Sequence, residues 1–243
     1  MNFNFLSKLI AGWQLLLFRA LGHRRQKRIW SRRTLEQVQA SMHNFSYPHR
    51  PFLVEIISTL MMHTQCESDR ILELGCGVGA NLSCLAEKFA GSIIGIDISK
   101  QSITVGNNLI SEITPPHITR LIHDFRSLEI FSSGMFAITF SDAAMYTLGS
   151  RTFNNLLREA DRVTNGFLIF LELQAAAEKT KFTRDGFLRN YGQHCEKIGM
   201  STVTFPLPPH LRTGGRWPQI GAITVAARNK SSSELASILA RFS

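Results

Sequence analysis

The sequence lacks paired cysteines. Its four cysteines show no CxxC spacing and no ligand-like spacing with the histidines; they are Cys66, Cys76, Cys84 and Cys195. Disulfide frameworks and zinc sites are indicated by characteristic cysteine and histidine spacings, so this pattern suggests neither. We therefore expect no bound metal and a reducing compartment, the cytoplasm.

Acidic residues are absent from the first 33 positions. Eight of the 27 lysines and arginines fall in this stretch, which leaves 19 basic residues against all 18 acidic ones in the rest of the chain. The net charge of +9 therefore describes a basic N-terminal segment attached to a nearly neutral body. That distribution argues against a nucleic-acid-binding surface spread over the whole domain.

The chain also lacks a hydrophobic run long enough to span a bilayer. In the apolar stretch at 3–22, Lys8 and Arg19 leave only ten uncharged residues between them, whereas a spanning helix needs about 20. The stretch predicts an amphipathic helix, and the basic sequence HRRQKRIWSRR follows it. We predict that residues 1–36 lie on an anionic membrane surface or pack on their own domain or a second subunit. Contact with nucleic acid is the less favoured alternative.

Residues 37–228 contain no repeat and no low-complexity linker, and short apolar runs alternate with amphipathic helical stretches. Such alternation is typical of βα units on a parallel sheet. Seven strands are predicted, at 71–74, 92–99, 118–125, 136–141, 166–173, 201–207 and 220–228. The linker between the last two has no room for a crossover helix, so we expect them to pair antiparallel.

The predicted fold is one α/β domain with a doubly wound, mostly parallel seven-stranded sheet and a C-terminal antiparallel strand pair. An N-terminal helical appendage precedes it, and a tail at 229–243 follows it. The nearly continuous apolar strand at 166–173 is expected at the sheet centre. The last helix is expected at 183–199.

The first predicted strand leads into a glycine loop, in the sequence ILELGCGVGANL at 71–82. Read as GxGxxA from Gly75, Gly77 and Ala80, the loop would hold a dinucleotide, whose pyrophosphate binds backbone N–H groups at a helix N-terminus. The carboxylate of Glu73 would repel a pyrophosphate, but it suits a ligand with a positive amino group and no phosphate. Glu73 would either contact that ligand or pin the loop by accepting backbone N–H bonds.

The segment Glu73-Leu74-Gly75-Cys76-Gly77-Val78-Gly79 resembles the first motif of the class I S-adenosylmethionine-dependent methyltransferases, an acid followed by glycines at alternate positions. The resemblance covers the chain from about Ile71 to Arg228. It implies that family's fold, its activity and S-adenosylmethionine as the cofactor. Two departures, Phe136-Ala137 where an aspartate is usual and Asn165-Gly166 where Pro-Gly-Gly is usual, remove no cofactor contact.

Further motifs of the resemblance imply the cofactor contacts. GIDIS at 95–99 is similar to the second motif, whose acid, here Asp97, binds both ribose hydroxyls. HDF at 123–125 is similar to the segment that places a carboxylate on the adenine amino group and an aromatic ring along the base. The implied cofactor-binding residues are Glu73, Gly75, Gly77, Gly79, Asp97, Ile98, Asp124, Phe125 and Ser141.

The acceptor side carries fewer signals. The fourth strand is followed by SDAAMY and not by the Asn-Pro-Pro-Tyr segment that resembles amino-methylating enzymes of DNA bases and glutamine side chains. We expect a small-molecule or lipid-linked acceptor that is methylated on oxygen, beside a membrane. A hydroxyl acceptor needs a general base, and the candidates are Tyr146, His43, Tyr47 and His49. The alternatives are an RNA or protein methyltransferase docked by its arginine-rich N-terminus, and a non-catalytic, membrane-tethered cofactor-binding module.

Overall fold

The computed structural model of the protein describes residues 26–40, 47–110, 117–175, 181–183, 186–212 and 214–243. The helices are α1 (26–31), α2 (Leu35–Ala40), α3 (His49–Met61), α4 (Ala80–Ala86), α5 (Lys100–Ile110), α6 (Ser150–Val163), α7 (Tyr191–Glu196), α8 (Trp217–Ile220) and α9 (Ser232–Leu239). The strands are β1 (Ile71–Leu74), β2 (Ile93–Asp97), β3 (Ile118–Ile122), β4 (Phe136–Asp142), β5 (Thr164–Leu173), β6 (Lys181–Thr183), β7 (Gly186–Leu188), β8 (Ser201–Pro206) and β9 (Gly221–Ala227). Within these ranges no helix is both long and apolar enough to cross a membrane.

Seven of the described strands form one sheet in the order β3-β2-β1-β4-β5-β9-β8. Neighbouring strands from β3 to β5 are parallel, and β9 pairs antiparallel with both β5 and β8. The predicted doubly wound sheet with its C-terminal antiparallel pair is therefore confirmed. The strand order reverses between β1 and β4, and ligands of such sheets bind beyond the carboxyl ends of the strands at this switch point.

Helices cover both faces of the sheet, which is why its central strands are apolar on both sides. On β1, Ile71 packs into a cluster with residues of α3, α4 and α9, whereas the next residue, Leu72, packs into a cluster with residues of α6 and α7. This division follows from the alternation of side chains along a strand. Glu73 in the same strand is also buried, with 2% of its surface exposed. A buried carboxyl group in a sheet core requires a polar partner.

The prediction of a single helix over 183–199 is wrong. β6 and β7 pair as an antiparallel hairpin, and helix α7 begins only at Tyr191. Gly186 has a φ of 125°, which lies outside the helical region and which residues with a side chain rarely adopt. A Cβ added there would lie 2.6 Å from atoms of Tyr146. Close packing of the hairpin on the loop after β4 has therefore overridden the local helical pattern.

Two other features differ from the sequence-based expectations. The central strand of the sheet is β4, and β5 lies one place away from the centre. The C-terminal residues form α9, which Ser231 and Glu234 begin with a reciprocal capping box. Leu235 and Leu239 of α9 are buried in the same cluster as α3. The predicted tail thus contains a helix that packs on the core of the domain.

Candidate functional site

Three glycines allow the chain to turn sharply after β1. Gly75, Gly77 and Gly79 have φ angles of 81°, 55° and 87°, all in the left-handed region that favours glycine. At Gly75 an added Cβ would lie 2.5 Å from the Cβ of Ala144, whereas at Gly77 it would meet no atom within 4 Å. The loop therefore packs against the segment after β4 and presents bare backbone to open space at Gly77.

The carboxylate of Asp97 is held in place by the backbone. Its Oδ2 accepts a hydrogen bond of 2.9 Å from the N–H of Gly77, and its Oδ1 accepts one of 2.7 Å from the N–H of Ser99. Burial raises the pKa of Asp97 by more than these two N–H groups and the nearby charge of Arg33 lower it, so the pKa lies above its ordinary value. Each oxygen keeps acceptor capacity for a further donor. The acid at the end of β2 is thus fixed beside the glycine loop.

A cavity, here called the glycine-loop cavity, opens at the carboxyl ends of β1, β2 and β3. Six of the nine predicted cofactor-binding residues line it, namely Gly75, Gly77, Asp97, Ile98, Asp124 and Phe125. The rest of the lining comes from the loop after β4, from Arg126, and from Gln26, Lys27, Trp30 and Arg33 around α1. The sequence carried no signal for this position of the N-terminal segment beyond the alternative that it packs on its own domain.

Asp124 already has cationic partners in the glycine-loop cavity. The side chain of Arg126 donates two hydrogen bonds to it, one of them 2.7 Å from Nε to Oδ1, and the backbone N–H of Arg126 donates a third. Lys27 Nζ lies 3.2 Å from Asp124 Oδ2. Burial would raise the pKa of Asp124, but the bonds from Arg126 and Lys27 outweigh it and lower that pKa. An adenine amino group at this carboxylate would therefore share it with Arg126 and Lys27.

Glu73, Gly79 and Ser141, the other three predicted cofactor contacts, lie outside the lining of the cavity. Glu73 accepts a hydrogen bond of 2.7 Å from the side-chain amide of Asn81 in α4. Burial raises the pKa of Glu73 to about 8, so the group is mostly uncharged at neutral pH. The sequence predicted that Glu73 either contacts the ligand or accepts bonds from backbone N–H groups of the loop. The hydrogen bond described for it comes instead from a side chain, that of Asn81, and contact with the ligand stays a prediction.

A buried polar cluster surrounds Asp142, the last residue of β4, and we call it the Asp142 network. His49 Nε2 lies 2.9 Å from Asp142 Oδ2, and Arg212 Nη1 lies 2.5 Å from Asp142 Oδ1. The side-chain amide of Asn81 donates a hydrogen bond of 3.2 Å to Asp142 Oδ2, and Arg50 Nη1 lies 3.5 Å from the same oxygen. Through Asn81 the network extends to Glu73. It joins α3, β1, α4, β4 and the segment before α8.

The Asp142 network carries net positive charge at neutral pH. Burial would raise the pKa of Asp142, but Arg212, His49 and Arg50 together hold it below its usual range. Burial lowers the pKa of His49, so this imidazole is neutral, and Glu73 is mostly protonated. Two guanidinium groups thus face one carboxylate. The neutral His49 donates from Nε2 to Asp142, and its Nδ1 has no hydrogen-bond partner within the described residues.

A second cavity, the Trp217 pocket, lies on the other side of the loop after β4. Its lining consists of Tyr47, Ala143, Tyr146, Leu173, Arg212, Gly214, Gly215, Arg216 and Trp217. Ala143 lines both cavities and has a φ of 56°, in the left-handed region. A strained residue other than glycine is retained only where its surroundings hold it. The two cavities therefore meet at a backbone position that the fold fixes.

Glu172 of β5 holds this loop. Its Oε1 accepts hydrogen bonds of 2.8–2.9 Å from the hydroxyl of Ser141 and the N–H groups of Ala144 and Met145. Burial raises the pKa of Glu172 to about 7. From the other side, the buried Arg189 donates to the carbonyl of Leu148. The sequence signal for Glu172 was an acid inside the otherwise apolar strand GFLIFLEL, the same signal that marked Glu73.

The four candidate bases fall in different places. Tyr47 and Tyr146 line the Trp217 pocket. His49 is fully buried and bound to Asp142, and it lines neither cavity. His43 lies outside the described residues. Within those residues, no three histidines, cysteines or acids are grouped as metal ligands.

The sequence matches known proteins in part of its length. Residues 71–166 match the protein family described as methyltransferase domain. An uncharacterized protein of Rickettsia prowazekii (strain Madrid E) is 37% identical over 70 residues, 28% of this chain and 28% of that protein. The alignment therefore spans little more than a quarter of the length of this relative.

Solved structures are similar over most of the fold. The magnesium protoporphyrin IX methyltransferase of Synechocystis PCC 6803, with bound S-adenosylmethionine, has a TM-score of 0.55 and 16% identity, and the match covers 88% of this chain and 94% of that chain. The cyclase SpnF has a TM-score of 0.57 and 15% identity over 73% of this chain and 80% of that chain. At such identities the similarity concerns the fold, which can support several chemistries.

Proposed function

We propose that this chain is a class I S-adenosylmethionine-dependent methyltransferase that transfers a methyl group to an oxygen atom of a small-molecule or lipid-linked acceptor. Residues 71–166 match a methyltransferase domain, and a solved methyltransferase with bound S-adenosylmethionine has a similar fold. The observation that carries the proposal is the meeting of two cavities at Ala143. One contains the residues expected to hold the donor. The other contains aromatic and basic side chains suited to an acceptor.

The donor would be held by residues of the glycine-loop cavity. Asp97 would accept hydrogen bonds from the ribose hydroxyls, because the N–H groups of Gly77 and Ser99 already orient its two oxygens. Ile98 and Phe125 would pack on the base, and Asp124 would bind its amino group. Bare backbone at Gly77 leaves space for the amino-acid portion. When bound, this cofactor supplies a methyl group on a positively charged sulfur.

The protein's main contribution would be positioning. In-line displacement at a sulfonium consumes charge, so orientation carries most of the catalysis, and orientation can supply about 7–11 kcal/mol. Glu172 and Arg189 hold the loop at the junction of the two cavities through hydrogen bonds to its N–H groups and to the carbonyl of Leu148. For a hydroxyl acceptor, Tyr146 and Tyr47 are the candidate proton acceptors, since both line the Trp217 pocket. His49 would act through Asp142 as a positioning residue.

Membrane association remains part of the proposal for the N-terminal segment. Eight cations without an acid precede position 34, and each cation near an anionic surface contributes about 1 kcal/mol. Residues 26–33 pack at the glycine-loop cavity, so the test should remove 1–25 alone. We expect the full chain to co-sediment with anionic liposomes and the truncated chain to lose most of that binding. Equal co-sedimentation of both chains would reject the anchor.

One observation weighs against a nucleic-acid acceptor docked by the N-terminal arginines. Lys27 is paired with Asp124, and Arg33 lines the glycine-loop cavity, so part of the basic segment already has partners within the domain.

Incubating the protein with radiolabelled S-adenosylmethionine and a cell extract tests the acceptor class directly. The proposal predicts label in the small-molecule or lipid fraction. Label in RNA or protein would support the docked-arm alternative, and no label with intact donor binding would support a non-catalytic module.

A further inference from the structure

The Trp217 pocket has an unusual balance of charge. Among its described lining residues there are two arginines, Arg212 and Arg216, and no acid. The carboxylate bound to Arg212, that of Asp142, is buried, with only 5% of its side chain exposed. Because the Asp142 network holds two guanidinium groups against that one carboxylate, it does not cancel the positive charge of the pocket.

Arg212 is built into the wall of this pocket. Its Nη1 bonds Asp142, and the guanidinium lies 3.8 Å from the centre of the Trp217 ring. The ring centre of Tyr47 lies 5.6 Å from the central carbon of the same guanidinium. Stacking and the ion pair fix a planar cation of five donors in one orientation. Such a preorganised group loses little conformational entropy when it binds a ligand.

Arg216 is the more available cation. It is exposed, and within the described part of the chain it makes no ion pair. Beside it, a Cβ added at Gly214 or Gly215 would meet no atom within 4 Å. The lining therefore offers both a cation and room next to it. Arginine binds carboxylate and phosphate groups through paired N–H donors.

We propose that the acceptor is an aromatic or otherwise flat apolar molecule with an oxyanion group, a carboxylate or a phosphate, which binds Arg216 and Arg212 in the Trp217 pocket. The rings of Tyr47, Tyr146 and Trp217, together with Leu173, form the apolar surface for the rest of the molecule. This inference rests on the proposed methyl transfer, since it names the chemical class of the acceptor. A carboxylate acceptor is already an oxygen nucleophile and needs no general base.

Calorimetric titration of the full-length protein, saturated with S-adenosylhomocysteine, tests the inference. The probes are 2-naphthoate and 2-naphthyl phosphate, and 2-naphthamide is the neutral control of matched shape. We expect at least one of the anionic probes to bind at least tenfold tighter than the amide. Arg216→Ala should weaken that binding by roughly tenfold or more, as for a hydrogen bond to a charged group. Arg216→Lys should retain part of it.

Arg158→Ala is the matched control, since Arg158 is an exposed arginine of α6 outside the lining of the pocket. It should leave probe binding unchanged. Preference for naphthoate identifies a carboxylate-bearing ligand, and preference for naphthyl phosphate identifies a phosphate-bearing one. Three results would overturn the inference. They are binding of the amide as tight as that of the anionic probes, equal losses of probe binding in Arg216→Ala and Arg158→Ala, and no binding of any probe. Failure of the wild-type protein to bind S-adenosylhomocysteine would instead overturn the proposed function.

Discussion

At the scale of single residues, Glu73 shows how a family resemblance can rest on an incomplete physical reason. Its carboxylate was expected to act by its charge, yet burial raises its pKa to about 8, and it bonds the amide of Asn81. Asn81 also bonds Asp142. Glu73 therefore links the glycine loop to the Asp142 network, and its effect on a ligand is indirect.

Asp97 is the residue whose replacement should affect the donor most directly. Asp97→Ala removes the acceptor of the Gly77 and Ser99 N–H bonds and a charged acceptor for two hydroxyls, each worth about 1.5–3 kcal/mol. We expect S-adenosylhomocysteine to bind at least 100-fold more weakly, as measured by calorimetry. Asp69→Ala, at an exposed aspartate before β1, is the control. An Asp97→Ala protein that is folded and binds normally would discredit the ribose assignment.

Glu73 should make stability depend on pH. Its folded-state pKa of about 8 lies above the ordinary value of 4.5, so the folded state binds its proton more tightly than the unfolded state. The associated stability is complete below pH 4.5 and is lost as pH rises towards 8, by about 1.4 kcal/mol per pH unit.

Urea denaturation at several values between pH 6.5 and 8 measures this effect, and comparison with Glu73→Gln separates it from the contributions of other groups that titrate there, such as Glu172. The free energy of unfolding of the wild-type protein should fall with rising pH, and that of Glu73→Gln should fall less steeply. Parallel slopes for the two proteins would show that Glu73 does not titrate in this range.

The residues that sequence reasoning found and those that it missed differ in how they are brought together. Gly75, Gly77 and Asp97 belong to local motifs at the ends of two adjacent strands, so spacing alone identifies them. Asp142 and Arg212 meet across 70 positions of sequence. Their pairing depends on how β8 and β9 return to β5, the neighbour of β4, and no local pattern encodes that geometry.

At the scale of elements, the loop between β4 and α6 depends on one side chain. Glu172→Ala would leave three donors, on Ser141, Ala144 and Met145, without their acceptor. Leaving buried donors unpaired costs about 1–3 kcal/mol each, so we expect a loss of several kcal/mol in the free energy of unfolding. Glu172→Gln keeps an acceptor oxygen and should lose much less. Similar losses for both variants in urea denaturation would show that the hydrogen bonds are not what holds the loop.

Helix α1 should influence donor binding. Gln26, Lys27, Trp30 and Arg33 line the glycine-loop cavity, so deleting residues 1–33 exposes a bound donor to water. We expect S-adenosylhomocysteine to bind several-fold more weakly and to dissociate faster in stopped-flow experiments, whereas deletion of 1–25 should leave both unchanged. If the longer deletion also left both unchanged, α1 would have no part in the donor site.

The elements themselves were predictable where local pattern and tertiary environment agree. Each buried strand of the sheet is a short apolar run bounded by polar residues, and all seven predicted strands are present. The β6–β7 hairpin was missed because Gly186 and its packing on Tyr146 override a helical pattern. Helix α9 was missed because its burial of Leu235 and Leu239 depends on α3, far away in sequence.

At the scale of the whole molecule, charge and shape divide the protein into two functional parts. The described lining of the glycine-loop cavity contains two carboxylates, Asp97 and Asp124, together with Lys27, Arg33 and Arg126, whereas that of the Trp217 pocket contains two arginines, three aromatic rings and no carboxylate. The fold places these at either side of Ala143, at the switch point where ligands of such sheets bind. Under the proposed function, the donor would occupy the first cavity and an anionic acceptor the second.

The central claim is that the glycine-loop cavity binds a methyl donor and not a dinucleotide. Calorimetric titration of the full-length protein with S-adenosylmethionine and, separately, with NAD tests it most directly. We predict saturable binding of S-adenosylmethionine at one site per chain and no measurable heat with NAD. Tight binding of NAD without binding of S-adenosylmethionine would contradict the account.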